Sequence, residues 1–153
     1  MNGIIRIKDG VLVSYSGPRG DLVLPDGIVE IGRAAACHTG LVRVTVPGSV
    51  SKIRAYAFAG CNHLKRAVIP EGVTAIGAGA FRDCNELTRV FLPESVTAIG
   101  DDAFACCPNL VIHAPAGSYA ERYARKAGIP VRTRKAKRSA SVSRARGACR
   151  AAA

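Results

Sequence analysis

The 153-residue sequence predicts an α/β repeat solenoid, in which coils of similar sequence stack on one another. Prolines recur at intervals of 22, 23 and 23 residues, at Pro25, Pro47, Pro70 and Pro93. A fixed period of this length is typical of solenoids. The last two copies also open with the same P-E-x-V-T-A-I-G pattern. Trp is absent and only four Phe are present, which predicts an aliphatic core.

Each repeat is predicted to contain, in order, a short strand, a glycine corner, an Ala-Phe helical turn, a Cys and a main strand. In residues 70–92 the corner is Gly77, the aromatic residue is Phe81, and Cys84 follows it by three positions. Stacked coils place the main strands in a parallel sheet on the concave face, with short strands and helical turns on the convex side. These main strands begin at a leucine and occupy 41–46, 64–69 and 87–92.

The two ends depart from the repeat and predict caps. Residues 1–24 read as an N-terminal cap of short strands with a turn at Asp9-Gly10, before the repeats of 25–114. Residues 115–131 predict a C-terminal capping helix, because Ser118 to Glu121 fits the capping box. Residues 132–153 contain eight Lys or Arg and no acid, and predict a disordered basic tail.

The distribution of charge and the positions of the cysteines indicate where the basic residues lie and which thiols are buried. The net charge of +11 resides mainly in the tail, since residues 1–131 hold 14 basic and 11 acidic residues. No apolar run is long enough for a membrane span and no signal peptide is visible. We therefore expect either a cytoplasmic protein or a fragment of a larger one. Cys61, Cys84 and Cys107 share one repeat position, which predicts buried free thiols, whereas Cys106 is expected to be exposed.

The repeat residues resemble the leucine-rich repeats of the BspA-like surface-protein type. The motif P-x-x-V-T-x-I-G-x-x-A-F-x-x-C-x-x-L-x-x-V-x-I matches residues 70–92 at nearly every fixed position, and the resemblance extends over about residues 4–131. It implies a curved leucine-rich repeat module, capped at both ends, that binds other proteins or host surfaces and has no catalytic role. Members of this family are often exported bacterial proteins, found at the cell surface or secreted.

The candidate binding residues lie between the apolar positions of the main strands. An arginine stands two positions after the leucine in each copy, and stacked arginines about 5 Å apart repel one another unless a partner screens them. One interpretation is a groove that binds a protein or peptide, including an acidic one; the other is a soluble residue kept at an exposed position through duplication. The groove residues are Arg43, Thr45, Lys65, Arg66, Val68, Arg89 and Phe91.

The tail offers an alternative site for nucleic acid or another anionic surface. Its cations would attract phosphate through charge, weakly and without sequence specificity, because no aromatic residue is present to stack on bases. The other interpretation is a solvated chain end without a binding role. The cluster consists of Arg132, Arg134, Lys135, Lys137 and Arg138.

Nothing in the sequence indicates an enzyme. The three histidines are isolated, and the serines at 49, 95 and 118 occupy turn or cap positions. The glycines follow the repeat period and form no phosphate-binding motif. We therefore expect a monomeric, non-catalytic protein with no metal and no cofactor.

Overall fold

The computed structural model describes residues 3–135. Within them the chain forms two six-stranded sheets and one helix, and residues of both sheets share one apolar core. The elements are β1 (Ile4–Lys8), β2 (Val11–Ser16), β3 (Gly20–Val23), β4 (Glu30–Ile31), β5 (Leu41–Thr45), β6 (Lys52–Ile53), β7 (Arg66–Val68), β8 (Ala75–Ile76), β9 (Arg89–Phe91), β10 (Ala98–Ile99), β11 (Val111–Pro115), α1 (Tyr119–Ala127) and β12 (Val131–Arg134).

The strand order confirms a β-solenoid. The short-strand sheet runs β1-β2-β4-β6-β8-β10 and the long-strand sheet runs β12-β11-β9-β7-β5-β3, so each coil gives one strand to each sheet. Every pairing is parallel except β1 with β2. The chain thus makes about six stacked turns.

The segment predicted as an N-terminal cap is itself a coil. β2 pairs with β4 and β3 with β5, so the two strands occupy the same places as the strand pairs of later coils. Only β1 is additional, and it returns antiparallel along β2. The turn between them is at Asp9-Gly10 as predicted, with φ of 51° and 79°, which suits the right-handed twist of a hairpin.

The segments around the phenylalanines are not the helical turns that the sequence predicts. Tyr56 and Gly60 have left-handed backbone, with φ of 58° and 72°, and a right-handed helix does not pass through such residues. Consecutive turns form instead, and they direct alternate N–H groups at the next coil: Phe58 N–H donates to the Ala80 carbonyl at 2.8 Å. We call the stack of these segments the turn wall; it comprises residues 32–38, 54–60, 77–83 and 100–106.

The phenylalanines form a continuous stack inside the core. Phe58 and Phe81 have ring centroids 5.2 Å apart, and Phe81 and Phe104 are 5.4 Å apart with nearly parallel rings. Tyr123 of α1 ends the stack, with its ring tilted and 6.2 Å from Phe104. Phe58 and Phe81 are fully buried, so each ring fills its own volume in the close-packed core.

The cysteines of the repeat column have a specific structural role. Cys61 and Cys84 are buried as predicted, whereas Cys107 is only half-buried. The Cys84 thiol donates to the Phe58 carbonyl at 3.2 Å, and Cys107 donates to the Phe81 carbonyl at 3.1 Å. The Cys61 thiol makes the equivalent bond to the Ala36 carbonyl of the preceding coil at 3.1 Å. In the first repeat Thr39 takes the cysteine position, and its hydroxyl donates to the same Ala36 carbonyl, within its own coil, at 2.9 Å. The column therefore requires a small side chain with a hydrogen-bond donor, because it satisfies a carbonyl inside the core.

Replacing Cys84 by alanine is expected to lower the free energy of unfolding by about 1–3 kcal/mol, because a buried carbonyl loses its donor. Cys84→Thr is the matched control, since threonine already fills this column at Thr39 and retains a donor. Chemical denaturation of both variants would measure the difference. Equal stability of the alanine variant and the natural protein would contradict a hydrogen-bonding role for the thiol.

α1 packs at the end of the solenoid, within the segment 115–131 for which a capping helix is predicted. Ser118 Oγ accepts from the Glu121 N–H at 3.2 Å, Glu121 Oε1 accepts from the Gly117 N–H at 2.8 Å, and the helix ends at Gly128 with φ of 77°. The reciprocal bonds satisfy N–H groups that the first turn leaves open. Within residues 3–135 no helix is long and apolar enough to cross a membrane.

The prediction that the tail is disordered from residue 132 is wrong for its first residues. β12 extends to Arg134 and pairs in parallel with β11, in register from Ile112 opposite Val131. Main-chain hydrogen bonds hold it there, and these do not depend on apolar side chains, so composition gave no sign of the strand. Lys137 and Arg138 lie outside the described residues.

Candidate functional site

The arginines expected to share a column do so, but the column begins with an acid. The register places Arg66 beside Arg43 and Arg89 beside Arg66. On the other side of Arg43 lies Asp21, whose Oδ1 is 3.3 Å from Arg43 Nε. Arg43 is therefore partly neutralised by an exposed ion pair, and the uncompensated charge of the column lies at Arg66 and Arg89.

Phe91 forms the centre of the exposed surface. The Arg66 guanidinium lies over the Phe91 ring, 4.9 Å from its centroid. The ring of His113, on the strand at the other side of β9, stacks on the Phe91 ring with the two centroids 4.6 Å apart. His113 is opposite Phe91 in the register of β11 with β9. Stacking holds the guanidinium above the sheet while its N–H groups remain available to a partner.

β12 brings part of the predicted tail onto the same sheet. Arg132 is opposite His113, and Arg134 lies two residue pairs further along, opposite Pro115. Arg134 Nη2 also donates to the Leu92 carbonyl at 2.9 Å, which fixes this side chain across the edge of the sheet. The two sites predicted separately, on the strands and in the tail, thus meet in one surface. We call it the basic face: Arg66, Arg89, Phe91, His113, Arg132 and Arg134.

The pKa of His113 is affected by the positive charges of the basic face. Partial burial lowers the pKa of His113, and the nearby guanidinium groups of Arg89, Arg132, Arg134 and Arg66 lower it further. Both effects oppose a positive charge on the ring. His113 is therefore neutral near pH 7, and its imidazole is surrounded by four cations.

Four of the predicted residues lie beside this cluster. Thr45 is exposed at the end of β5 and Val68 is half-buried between Thr45 and Phe91 in the register. Lys65 is exposed but precedes β7, and Lys135 is exposed just after β12. They widen the surface without contributing to the stacked centre.

Sequence reasoning missed Asp21 and His113. The cap predicted for residues 1–24 includes Asp21, although D-L-V-L at 21–24 repeats the spacing of R-V-T-V at 43–46. The sequence analysis treats His113 as an isolated histidine, although L-V-I-H at 110–113 aligns it with Phe91. In both cases alignment of the end segments to the repeat would have found the residue.

Cys61, Cys84 and Cys106 offer little chemistry. The neighbouring thiol of Cys107 and burial raise the pKa of Cys84, and burial raises the pKa of Cys61. Cys106 is exposed as predicted, but a hydrogen bond to the Asp83 carboxylate raises its pKa as well. A thiol with a raised pKa contains little thiolate at neutral pH, so these groups are poor nucleophiles.

Comparison with known proteins agrees with the repeat geometry. The pattern of the BspA type leucine-rich repeat region matches residues 15–117 in six copies. The chain belongs to the BspA type leucine-rich repeat family. The match begins within β2, which agrees with a first coil that precedes Pro25. Proteins of the leucine-rich repeat class are generally non-catalytic binding modules.

Two solved structures show the same repeat fold. A leucine-rich repeat protein of T. pallidum is 27% identical, with a TM-score of 0.55 over 72% of this chain and 68% of the other. A leucine-rich cell surface protein from Faecalibacterium prausnitzii is 28% identical, with a TM-score of 0.54 over 80% of this chain. This BspA type chain spans only 40% of the length of the second protein. A comparison with curated proteins finds no match.

Proposed function

We propose that this chain is a non-catalytic binding module, and that its long-strand sheet is the concave face on which it binds an acidic protein or peptide segment. The observation that supports this most strongly is the basic face. Arg66, Arg89, Arg132 and Arg134 surround His113, and within residues 3–135 none of the four forms a salt bridge.

Four cations on one sheet, without an acidic partner among the described residues, are unfavourable for the free protein. Arg66 and Arg89 lie on adjacent strands, and β11 separates them from Arg132 and Arg134. Like charges at strand spacing, about 4.8 Å, repel one another in the absence of a partner. A carboxylate partner removes that repulsion and accepts paired N–H groups from a guanidinium. The arrangement therefore favours acidic side chains in the partner, flanking a residue that packs on the Phe91 ring.

The alternative function is polyanion binding through the tail. It draws support from Arg132, Arg134 and Lys135, which begin the basic tail and extend the sheet surface. Phosphate and carboxylate both suit guanidinium groups, so chemistry at single residues does not separate the two proposals. They differ in which part of the chain is required.

A truncation after Lys135 removes Lys137, Arg138 and the rest of the tail, and so tests whether that part of the chain is required for either function. This cut keeps β12, whereas a cut after Val131 would remove a strand of the sheet and confound the result. The probes are a blocked peptide of eight glutamates and a single-stranded DNA oligonucleotide, each measured by calorimetry at two salt concentrations. We expect the truncated chain to bind the glutamate peptide within about twofold of the full chain.

The DNA measurement decides the alternative. If the truncated chain loses the peptide as well as the DNA, the tail carries the binding and the sheet proposal is wrong. If the peptide is retained and only DNA is lost, the sheet binds carboxylates and the tail adds weak phosphate binding. Because contacts with phosphate release counterions, affinity for DNA should fall steeply as salt is raised.

A further inference from the structure

The turn wall passes hydrogen bonds from each coil to the next in one direction. In the coil that precedes the last, the N–H groups of Gly79, Phe81 and Asp83 donate to carbonyls of the following coil at 3.0, 2.7 and 2.9 Å. The coil before it makes the same three bonds, from Tyr56, Phe58 and Gly60. The donors are always two residues apart, so three N–H groups per coil point along the solenoid axis.

The last coil has the same three donors and no coil beyond it. They are the N–H groups of Asp102, Phe104 and Cys106, which are equivalent to Gly79, Phe81 and Asp83. No acceptor within residues 3–135 receives a hydrogen bond from any of them. They line a groove of about 910 Å³ between the turn wall and α1.

α1 covers the neighbouring parts of this end but not these donors. Tyr119 Oη accepts from the Ile99 N–H at 3.4 Å and so satisfies the edge of β10. Tyr123 covers the Phe104 ring. The helix therefore protects the sheet edge and the phenylalanine stack, and leaves open the backbone donors of the turn wall.

We propose that this end groove binds a peptide segment that presents alternate carbonyls along one edge. An extended peptide does so, because successive carbonyls point to opposite sides and every second one is aligned. Main-chain bonds then supply the affinity, as in other cases where a peptide extends an open edge. The preceding coil shows that three such donors, two residues apart, can all be satisfied by main-chain carbonyls, which there belong to consecutive turns.

The charges around the groove indicate the character of this peptide. Its lining contains two acids, Asp101 and Asp102, and two bases, Arg122 and Lys126. They balance, so the groove favours neither an acidic nor a basic segment. The lining also includes Ile99, Tyr119, Tyr123 and Ile129, which favour an uncharged segment with apolar side chains. This partner differs from the acidic one proposed for the basic face.

A second copy of the chain is a poorer occupant. Head-to-tail stacking would require the turn-wall carbonyls of the copy's first coil. Tyr15 N–H already donates to one of these, the Ala35 carbonyl, at 2.7 Å. The N-terminal coil thus occupies the central acceptor of the three, whereas all three donors at the other end remain open.

The test uses the full chain and a blocked peptide, acetyl-Ser-Val-Ser-Val-Ser-Val-amide. We expect the amide resonances of Asp102, Phe104 and Cys106 to shift on titration, and their hydrogen exchange to slow by tenfold or more. Before peptide is added, these amides should exchange at least about 100-fold faster than those of Gly79, Phe81 and Asp83. Replacing peptide amides by esters, whose carbonyls are weaker acceptors, should weaken binding about tenfold.

Two variants localise the effect. Ala127→Trp fills the rim of the groove from the exposed end of α1 and should weaken binding by tenfold or more, whereas Ala116→Trp, exposed but outside the groove, should not change it. Three results would overturn the proposal: peptide-dependent shifts of amide resonances elsewhere in the chain, unchanged binding by the variant Ala127→Trp, or resonance shifts that follow protein concentration alone. Charge reversal at Arg66 and Arg89 should leave this binding unaffected.

Discussion

Phe81→Ala is expected to lower the free energy of unfolding by about 3–5 kcal/mol, the usual range for removing a large aromatic side chain from a core. Phe81 is fully buried and is the only member of the stack with a phenylalanine on both sides, 5.2 and 5.4 Å away. Removing it leaves a cavity in the middle of the solenoid and separates the coils on either side. Urea denaturation followed by circular dichroism would measure the loss.

Phe91→Ala is the matched control for that experiment. It removes the same atoms from a half-buried ring on the sheet surface, where no core cavity results. We expect it to cost far less stability than Phe81→Ala. A similar loss for both variants would show that the stack is not the main source of cohesion between coils.

Reversing the charge of Arg66 and Arg89 together should abolish binding of the glutamate peptide, with an affinity at least about 100-fold lower at low salt. Each guanidinium can form charge-assisted hydrogen bonds worth about 1.5–3 kcal/mol, and glutamate in its place repels the probe. Arg66 also loses its position over Phe91. Calorimetric titration of the variant R66E/R89E measures the effect directly.

His113 provides an independent readout of the same event. The surrounding arginines hold its pKa low, so a bound carboxylate should raise that pKa, and binding should tighten as the pH falls toward 6. The control variant R6E/K52E makes the same change in net charge on the short-strand sheet, where both residues are exposed. Equal loss of affinity in the two variants would mean that net charge alone, rather than the basic face, attracts the peptide.

The interior columns were predictable because each has a strong physical requirement. Valine, isoleucine, phenylalanine and cysteine recur at fixed positions, and the structure buries them as the period indicates. The turn wall was harder. Ala-Phe is compatible with a helical turn, and the decisive factor is the left-handed backbone at Tyr56, Asp83 and Asp102, residue types that do not require it. Stacking against the neighbouring coils, which no single repeat encodes, selects that conformation.

Only the part of the candidate site that lies on the repeats was predictable from the sequence. Arg66, Arg89 and Phe91 follow from the repeat, so their shared face could be read from the alternation along the strand. Arg132 and Arg134 could not, because a stretch rich in arginine lacks the apolar alternation by which strands are recognised. Their place was set by an open strand edge that needed main-chain partners, and this requirement belongs to the assembled sheet.

The columns of the long-strand sheet also determine how this surface can change in size. Each coil interacts mainly with its two neighbours, so a whole repeat can be added or removed with little effect on distant coils. A duplication of residues 70–92 would lengthen the stack by about 4.8 Å and simultaneously supply a further arginine, an aromatic ring and the core residues that support them. The number of binding groups on the face therefore rises with the number of coils. A gene with more repeats encodes a protein of higher valency.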